Sequence, residues 1–383
     1  MRDLVEIGMG RTARRTYELH DVNIVPSRRT RSSQEVSTAW QLDAYRFDIP
    51  LLAHPTDALV SPEFAIELGR LGGLGVINGE GLWARHADVA AQLVRVTELA
   101  ARSDDPSEAI RLLQELHAAP LQPELLAVAI EAVHSAGVTT AVRVSPQNAA
   151  ALTPGLITAG IDLLVVHGTI ISAEHVNGGG PGAPAALNLK TFIAELDVPV
   201  IAGGVSDHRT ALHLMRTGAA GVIVGYGSSE GATTTGEVLG IGVPMATAIA
   251  DAAAARRDYL DETGGRYVHV IADGDIYGSG DLAKAIACGA DAAMLGSPLA
   301  LAAEAAGAGW YWPSAAAHPS MPRGAVMPVA VADDRPSLQQ VLVGASSDPY
   351  GATNLVGGLR RSMAKSGYSD LKAFQRVGLT VHG

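Results

Sequence analysis

Short uninterrupted apolar runs, most of them ending in Gly, His or Asp, alternate along the chain with alanine-rich amphipathic segments such as 207–217 and 281–287. Strands without polar–apolar alternation are typical of a parallel sheet that helices cover. Eight strand–helix units favour a closed TIM (β/α)8 barrel over an open doubly wound sheet. The predicted strands are 49–54, 74–78, 138–144, 161–167, 198–203, 221–225, 268–273 and 291–296.

Glycine and proline mark where the predicted helices end and begin. Gly137, Gly218 and Gly289 each follow a helical run and precede a strand, where a left-handed C-cap is expected. Residues 86–137 are too long for one helix, and Asp105-Pro106 predicts a helix start within them, so we expect a helical insertion after strand 2. Residues 306–352 predict a flap-like excursion after strand 8, and 354–374 returns to helix. The whole chain, 1–383, is expected to form one barrel domain.

Composition narrows the class of protein. Apolar residues make up 48% of the 383 residues, and the net charge is −11 without a basic stripe, which argues against nucleic-acid or anionic-membrane partners. The single cysteine, Cys288, excludes a disulfide framework. The N-terminus lacks a signal-peptide core and no stretch of 18 apolar residues exists, so a soluble, cytoplasmic protein is expected.

The barrel prediction directs attention to the C-terminal ends of the strands, where such proteins carry their working residues. The residues at these ends are His54, Asp57, Asn78, Glu80, Arg143, Ser145, His167, Thr169, Gly203, Gly204, Asp273, Asp275, Gly296 and Ser297. The glycine-rich stretch 225–244, GYGSSEGATTTGEVLGIGVP, follows strand 6. Such a turn usually holds a phosphate or presents a nucleophile, yet this one offers hydroxyl and carboxylate groups and no cysteine.

Two further strand ends allow alternatives. Gly296-Ser297-Pro298 precedes a predicted alanine-rich helix and is either a phosphate site or a simple serine N-cap. Asp273-Gly274-Asp275 could bind ribose hydroxyls, hold a cation or do acid–base work, or it could only cap the following helix.

His54 and His167 end strands on one face and are expected to line the same mouth. No cysteine lies near them, so a thiolate metal site is excluded, and the spacing gives a histidine–carboxylate site no specific support. We therefore predict no metal site. Cys288 lies in an alanine-rich helix, where core packing is the expected role.

Several motifs resemble the IMP dehydrogenase/GMP reductase family, and within it most closely the IMP-dehydrogenase-related third paralogue of actinobacteria and cyanobacteria. The resemblance extends from about residue 10 to 378. The family motifs are GIGVP at 240–244, IADG at 271–274, SGDLAKA at 279–285, MLGS at 294–297 and LVGGLR at 355–360. Those of the paralogue are IVPSRRTR at 24–31, LAHPTDA at 52–58 and NGEGLWAR at 78–85.

The resemblance implies a TIM barrel that binds a purine nucleotide and NAD(P) and assembles as a homotetramer or larger oligomer. It also implies that the loop after strand 6 carries a cysteine that attacks the purine, and that position falls on Thr233, or on Ala232 with one residue of slack. A threonine hydroxyl is a much weaker nucleophile than a thiolate. Other family positions are replaced too: the loop serine by Gly231, the loop arginine by Gly236, the second phosphate glycine by Asp275 and the asparagine after strand 5 by Gly204. The flap's Arg-Tyr pair has no clear counterpart in 310–331.

These correlated losses favour a protein repurposed in specialised metabolism for a non-covalent reaction on a small, non-phosphorylated molecule. The candidate catalytic residues are Asp273, Asp275, His54, Tyr226, Tyr277, Glu230 or Glu237, and Thr233 as the altered nucleophile position. The candidate ligand-binding residues are Asp273, Gly274, Gly296, Ser297, Gly225, Gly227, Gly231, Thr234 and His167.

Two alternatives stay open. One is a purine-nucleotide oxidoreductase that uses NAD. The other is a non-catalytic purine-binding paralogue that regulates a true IMP dehydrogenase in mixed oligomers. No nucleic-acid or membrane partner is expected, and the sequence names neither the ligand nor the cofactor.

Overall fold

A closed barrel of eight parallel strands forms the centre of the molecule. The computed structural model describes residues 4–175, 187–227, 235–318, 324–330 and 334–382. The barrel strands are β1 Leu51–Ala53, β2 Leu74–Asn78, β3 Ala141–Val144, β4 Leu163–His167, β5 Val200–Val205, β6 Gly221–Val224, β7 His269–Ala272 and β8 Ala292–Leu295. They pair in chain order, and β8 closes on β1 through Ala293 opposite Leu51. The predicted TIM barrel is confirmed.

Burial explains the uninterrupted apolar runs. Every residue of β4 and of β5 is buried, and in β3 only Arg143 is partly exposed. A strand packed between the barrel interior and an outer helix has no solvent face, so its sequence does not alternate.

Helices cover the outside of the barrel and carry its insertions. They are α1 Pro62–Arg70, α2 Val89–Arg102, α3 Ser107–Ala118, α4 Pro123–Ser135, α5 Ala149–Thr158, α6 Leu189–Ala194, α7 His208–Met215, α8 Thr235–Leu239, α9 Met245–Thr263, α10 Ser279–Cys288, α11 Leu338–Leu342, α12 Leu355–Ser366 and α13 Leu371–Phe374. Gly137, Gly218 and Gly289 have φ of 73°, 100° and 122°, which confirms the predicted left-handed positions after helices.

The segment 86–137 contains three helices, α2, α3 and α4. The predicted break at Asp105-Pro106 is confirmed, because α3 begins at Ser107 and the Asp105 carboxylate accepts its backbone N–H at 3.0 Å. Helix α4 packs beside α1 on the barrel, whereas α2 and α3 pack on each other.

The excursion after β8 packs against α2 and α3. Its strand Trp310–Tyr311 pairs with Met327–Pro328, and a 3-10 turn spans Ser314–Ala317. Trp312, 1% exposed, joins Leu93 and Leu113 in a hydrophobic cluster separate from the main core. The Thr56 hydroxyl donates to the Trp312 carbonyl at 2.6 Å, which fixes the excursion over the C-terminal mouth of the barrel.

The prediction of an alanine-rich helix after Pro298 is wrong. Only a 3-10 turn, Leu299–Leu301, forms there, and Ala302 adopts extended backbone. The Ala303 N–H donates to the Pro336 carbonyl at 2.8 Å, and the Arg335 guanidinium donates to the Ala302 carbonyl at 2.9 Å. Tertiary partners thus take the backbone groups that a helix would have used.

Elements outside the predicted barrel close its N-terminal end. The hairpin Trp40–Leu42 and Tyr45–Phe47 buries Leu42 fully, and the Trp40 ring contacts the His269 ring edge-on at 5.6 Å. Near the termini, Val22–Val25 pairs with Gly378–Val381, and Leu4–Gly8 pairs with Arg11–Arg14. Across the described ranges, no helix combines the length and the apolar character needed to cross a bilayer.

Candidate active site at the C-terminal mouth

A cavity of about 640 Å³ opens at the C-terminal ends of the strands. His54 after β1, Glu80 after β2, Arg143 in β3, His167 in β4 and Tyr226 after β6 all line it. The parallel strands point their carboxyl ends toward one face, which brings together residues that are far apart in the sequence.

His54, His167 and Asp273 meet at one point of this mouth. The Nε2 atom of His167 lies 3.4 Å from Asp273 Oδ2, and the Nε2 atom of His54 lies 3.8 Å from the same oxygen. The two imidazole rings meet edge-on with centroids 5.5 Å apart. The predicted convergence of the two histidines is confirmed, and Asp273 joins them.

These three side chains are nearly removed from solvent: 12% of His54, 10% of His167 and 3% of Asp273 is exposed. Three of their polar atoms, His54 Nδ1, His167 Nε2 and Asp273 Oδ2, are buried without a hydrogen-bond partner among the described residues. Burial lowers the pKa of His54 to about 4, although the nearby Asp273 carboxylate acts to raise it. His54 is therefore a neutral imidazole near pH 7.

Glu80 organises one wall of the cavity. Its Oε1 accepts from the Ser145 N–H at 3.0 Å, the Ser145 hydroxyl at 2.7 Å and the Asn148 amide at 3.0 Å. Its Oε2 lies 3.3 Å from the Arg143 Nη1. Arg143 also donates from Nε and Nη2 to the His167 carbonyl, at 3.1 and 2.7 Å. The wall thereby holds the backbone of His167 in place.

A buried histidine–aspartate hydrogen bond joins the insertion to the mouth. His117 on α3 contacts Asp57 Oδ2 through Nε2 at 3.0 Å, and Asp57 Oδ1 accepts the Leu82 N–H at 3.1 Å. His117 Nδ1 contacts the Leu113 carbonyl at 2.8 Å. His117 also lines the cavity, so the insertion contributes to the site.

The turn after β6 lies against the end of β7. Gly225 has φ of 110°, and a Cβ there would approach the Asp273 carbonyl oxygen to 2.1 Å, so only glycine fits. Gly227 donates its N–H to that carbonyl at 3.1 Å, and Gly274 lies next to Gly227. Tyr226 lines the cavity with its hydroxyl 2.6 Å from the Ser206 hydroxyl, and burial raises its pKa.

Asp275 and Tyr277 form a pair of their own and are not among the residues that line the cavity. The Tyr277 hydroxyl donates to Asp275 Oδ1 at 3.0 Å. Asp275 has φ of 51°, a left-handed conformation that suits the glycine found at this position in the resembling family. Their predicted catalytic role stays a prediction.

Gly296 and Ser297 lie beneath the excursion. A Cβ on Gly296 would approach the Tyr311 hydroxyl to 2.3 Å, and Ser297 is only 1% exposed. Tyr311 therefore covers the strand end for which a phosphate site is one of the two predicted roles.

The remaining predicted residues of the glycine-rich loop, Glu230, Gly231, Ala232, Thr233 and Thr234, lie outside the described residues, as does the side chain of Glu237. Cys288 lies on α10, 9% exposed, and burial raises the pKa of its thiol to about 11.

Sequence reasoning did not single out several cavity residues. Glu80, Arg143 and Ser145 stood among the strand ends, but nothing local distinguished them. His117 and Tyr311 come from the insertion and the excursion, and no motif marks either. Only their packing against the barrel brings them to the mouth.

Comparison with known proteins agrees with the fold and the motifs. A model of the IMP dehydrogenase/GMP reductase domain matches residues 16–331. A protein of Mycolicibacterium smegmatis, described as an uncharacterized oxidoreductase, is 75% identical over 378 residues, which cover 99% of this chain and all of that protein. A Mycobacterium tuberculosis protein with the same description is 74% identical over 380 residues, again 99% of this chain and all of the relative.

A solved structure agrees as well. The crystal structure of an IMP dehydrogenase/GMP reductase-like protein from Corynebacterium glutamicum superposes with a TM-score of 0.92 at 60% identity, covering 99% of this chain and 98% of that one. Inosine-5'-monophosphate dehydrogenase of Haemophilus influenzae is 41% identical, but only over 152 residues, 40% of this chain and 28% of that enzyme.

Proposed function

The chain belongs to the IMP dehydrogenase/GMP reductase family. We propose that it is an enzyme of this oxidoreductase family that acts on a small, non-phosphorylated molecule and forms no covalent bond to it. The observation that supports this most is the cavity lined by His54 and His167, which together with the adjoining Asp273 carry buried polar atoms without hydrogen-bond partners among the described residues. The expected biological setting is specialised metabolism.

The proposal of non-covalent chemistry rests on the absence of a reactive cysteine, since the sequence contains only Cys288. The chain has one cysteine, Cys288, on the outer helix α10, and burial raises the pKa of its thiol to about 11. A thiol in that state is a poor nucleophile at neutral pH. By the motif resemblance, the family's nucleophile position falls on Thr233 or Ala232, neither of which carries a thiol. We infer that the bond changes take place in a molecule held by hydrogen bonds alone.

The unpaired polar atoms support the binding of a polar ligand. A buried polar group without a partner costs about 1–3 kcal/mol, so a site that carries several of them is poised to receive a ligand that pairs with them. Asp273 Oδ2 and a neutral imidazole nitrogen can accept from ligand hydroxyl or N–H groups. The same groups are placed to hold a proton that the ligand gives up during reaction.

The described part of the mouth does not fit a phosphate. The Tyr311 hydroxyl lies against Gly296, Ser297 is buried, and Arg143 is engaged with Glu80 and with the His167 carbonyl. Arg85 likewise donates to the Glu80 and Ala119 carbonyls. For the same reason these residues do not fit the phosphates of a nicotinamide dinucleotide, and we derive no step of the reaction through that cofactor.

A thermal-shift panel tests the proposal. Purine bases and nucleosides are compared with their 5'-phosphates, and any small molecule that co-purifies is identified by mass spectrometry. We expect the non-phosphorylated ligands to raise the melting temperature and the phosphates to have little effect, because the described mouth offers no free cationic group to them.

Matched variants locate the binding. Asp273→Asn removes the carboxylate charge that faces His54 and His167 and should abolish the shift, whereas Asp258→Asn, at a surface carboxylate that is 57% exposed, should retain it. Equal loss in both variants would argue against this cavity as the site.

Turnover assays address the alternatives. Incubation with IMP and NAD, or with GMP and NADPH, is followed by the absorbance of the reduced cofactor. Rates like those of an ordinary IMP dehydrogenase would refute the proposal in favour of a purine-nucleotide oxidoreductase. Stabilisation by nucleotides without turnover would favour the non-catalytic paralogue instead.

A further inference from the structure

The strand ends of β1, β4 and β7 bring three metal-binding side chains together. One candidate ligand atom from each of His54, His167 and Asp273 lies within 4.8 Å of the other two. Two of the contacts, both to Asp273 Oδ2, measure 3.4 and 3.8 Å. Two imidazoles and one carboxylate form a donor set that suits divalent first-row transition metals.

The distances agree with a common coordination centre. Metal–ligand bonds of about 2.0–2.2 Å at the tetrahedral angle place neighbouring ligand atoms about 3.4 Å apart. The His167 contact to Asp273 is already at that separation, and the His54 contact exceeds it by only a few tenths of an ångström. The two imidazole nitrogens lie within 4.8 Å of each other, so binding an ion requires the histidine side chains to rotate toward a common centre.

Within the described part of the chain, polar atoms of the cluster lack the hydrogen-bond partners that buried structural side chains normally have. His167 Nε2 and Asp273 Oδ2 are close, yet both are buried without a hydrogen bond among the described residues. Most buried polar side-chain atoms in proteins have a partner. A cation between the three side chains would satisfy both atoms at once.

The surroundings are compatible with a bound cation. Arg143, whose positive charge acts on His54, is paired with Glu80 at 3.3 Å, so that charge is balanced within the wall. Arg143 also holds the His167 carbonyl, which orients the backbone of that ligand. His54 and His167 line the cavity, so a coordination position remains open toward it.

We propose that His54, His167 and Asp273 bind a divalent transition-metal ion such as Zn²⁺, with three protein ligands and one position open to the cavity. This inference rests on the proposed function, because the metal would lie at the cavity where the small molecule is proposed to bind. A catalytic metal of this kind polarises a ligand oxygen, while the three residues hold the ion and Arg143 positions His167.

Zinc titration of metal-free protein tests the site. The full chain, free of any histidine tag, is stripped with a chelator, and Zn²⁺ is added in competition with a chromophoric chelator. We expect one Zn²⁺ bound per chain. His167→Gln, Asp273→Asn and His54→Gln should each weaken the affinity at least about tenfold, because each removes one of three ligands.

Two controls separate the loss of a metal ligand from a general loss of folding. His208→Gln removes a surface histidine paired with Asp258 and should bind Zn²⁺ as the unaltered protein does. Circular dichroism shows which ligand variants fold, and three separate ligand positions leave an interpretable variant if one fails. Co²⁺ should produce a visible absorption band that the ligand variants lose.

Two results would overturn the site: no stoichiometric Zn²⁺ binding, or equal binding in all the folded ligand variants. The thermal-shift panel, repeated on metal-free protein, separates this inference from the proposed function. Ligand stabilisation without Zn²⁺ binding would reject the metal site alone. Zn²⁺ binding without any small-molecule stabilisation would reject the proposed function alone.

Discussion

Asp291, just before β8, accepts hydrogen bonds from four different residues. Its carboxylate accepts from Arg256 at 2.5 Å, the Tyr267 hydroxyl at 2.6 Å, the Val270 N–H at 2.8 Å and Gln375 at 3.1 Å. It is 4% exposed. This residue ties α9, β7 and the C-terminal segment to the N-terminal end of the barrel.

We predict that Asp291→Ala destabilises the fold strongly. Removing one member of a buried ion pair leaves the Arg256 charge buried without a carboxylate, at a cost of about 3–5 kcal/mol in the free energy of unfolding. Urea denaturation followed by circular dichroism measures the change. The matched control is Glu262→Ala, which breaks the ion pair between Glu262 and Arg216. The Arg216 side chain is 47% exposed and the Glu262 side chain 41%. The loss in the control should be much smaller, because solvent screens an exposed ion pair, and equal losses would contradict the prediction.

A second prediction at this scale concerns pH. Burial lowers the pKa of His269 below its ordinary value of 6.5, outweighing the raising effect of Asp291. In the window below about pH 6.5 the unfolded chain therefore binds more protons at this position than the folded one, so the free energy of unfolding falls as the pH falls. The charged and titratable groups that face His269 are Asp291, Lys372, Arg256, Asp43 and Tyr267.

Urea denaturation between pH 7 and pH 5 measures the effect, compared with His269→Gln. The variant should lose less stability over that range, because glutamine does not titrate. An identical pH dependence in the two proteins would show that His269 does not contribute.

At the scale of elements, α2, α3 and the excursion form a unit with a hydrophobic cluster of its own. Their contact with the barrel mouth includes the His117–Asp57 pair and the Thr56–Trp312 hydrogen bond. The unit contributes His117 and Tyr311 to the cavity. The packing of this unit therefore shapes one side of the cavity.

We predict that Leu113→Ala loosens this unit and leaves the barrel intact. Leu113 is fully buried in the cluster, and such truncations cost about 2–5 kcal/mol. Hydrogen exchange should accelerate in α2, α3 and the excursion and stay unchanged in β4 to β7. Val94→Ala, on α2 but 54% exposed, is the control and should change neither. Equal acceleration in the barrel strands would show that the two clusters unfold together.

At the scale of the whole molecule, apolar side chains remain on the surface of the described chain. Leu4, Ile7 and Met9 of the N-terminal hairpin are 62%, 65% and 102% exposed, and Val238 in α8 is 54% exposed. Exposed apolar groups close together are typical of protein–protein contacts. The exposed residues of the N-terminal hairpin therefore support our proposal that the chain forms a homotetramer or larger oligomer.

Light scattering coupled to size exclusion tests this proposal, with an expected mass of at least four chains of 39.4 kDa. Replacing Ile7 and Met9 together by serine should shift the mass downward if the hairpin is part of the interface. A monomer in the unaltered protein would reject the proposal.

The sequence by itself determined the barrel. Strands buried on both faces consist of uninterrupted apolar runs, so the burial of 161–167 and 198–203 is predictable from the sequence alone. Glycine C-caps mark where the helices between strands end. Strand ends also identified His54, His167 and Asp273 as residues of one mouth.

Only the tertiary structure decided that these three side chains meet within 4.8 Å, that Glu80 secures Arg143, and that Tyr311 covers Gly296. Barrel closure and strand register set those distances, and the packing of the excursion replaced a helix with the 3-10 turn Leu299–Leu301. Periodicity records which faces are buried, because burial acts on each segment separately. It carries no information on which distant side chains share a face until the strands have paired.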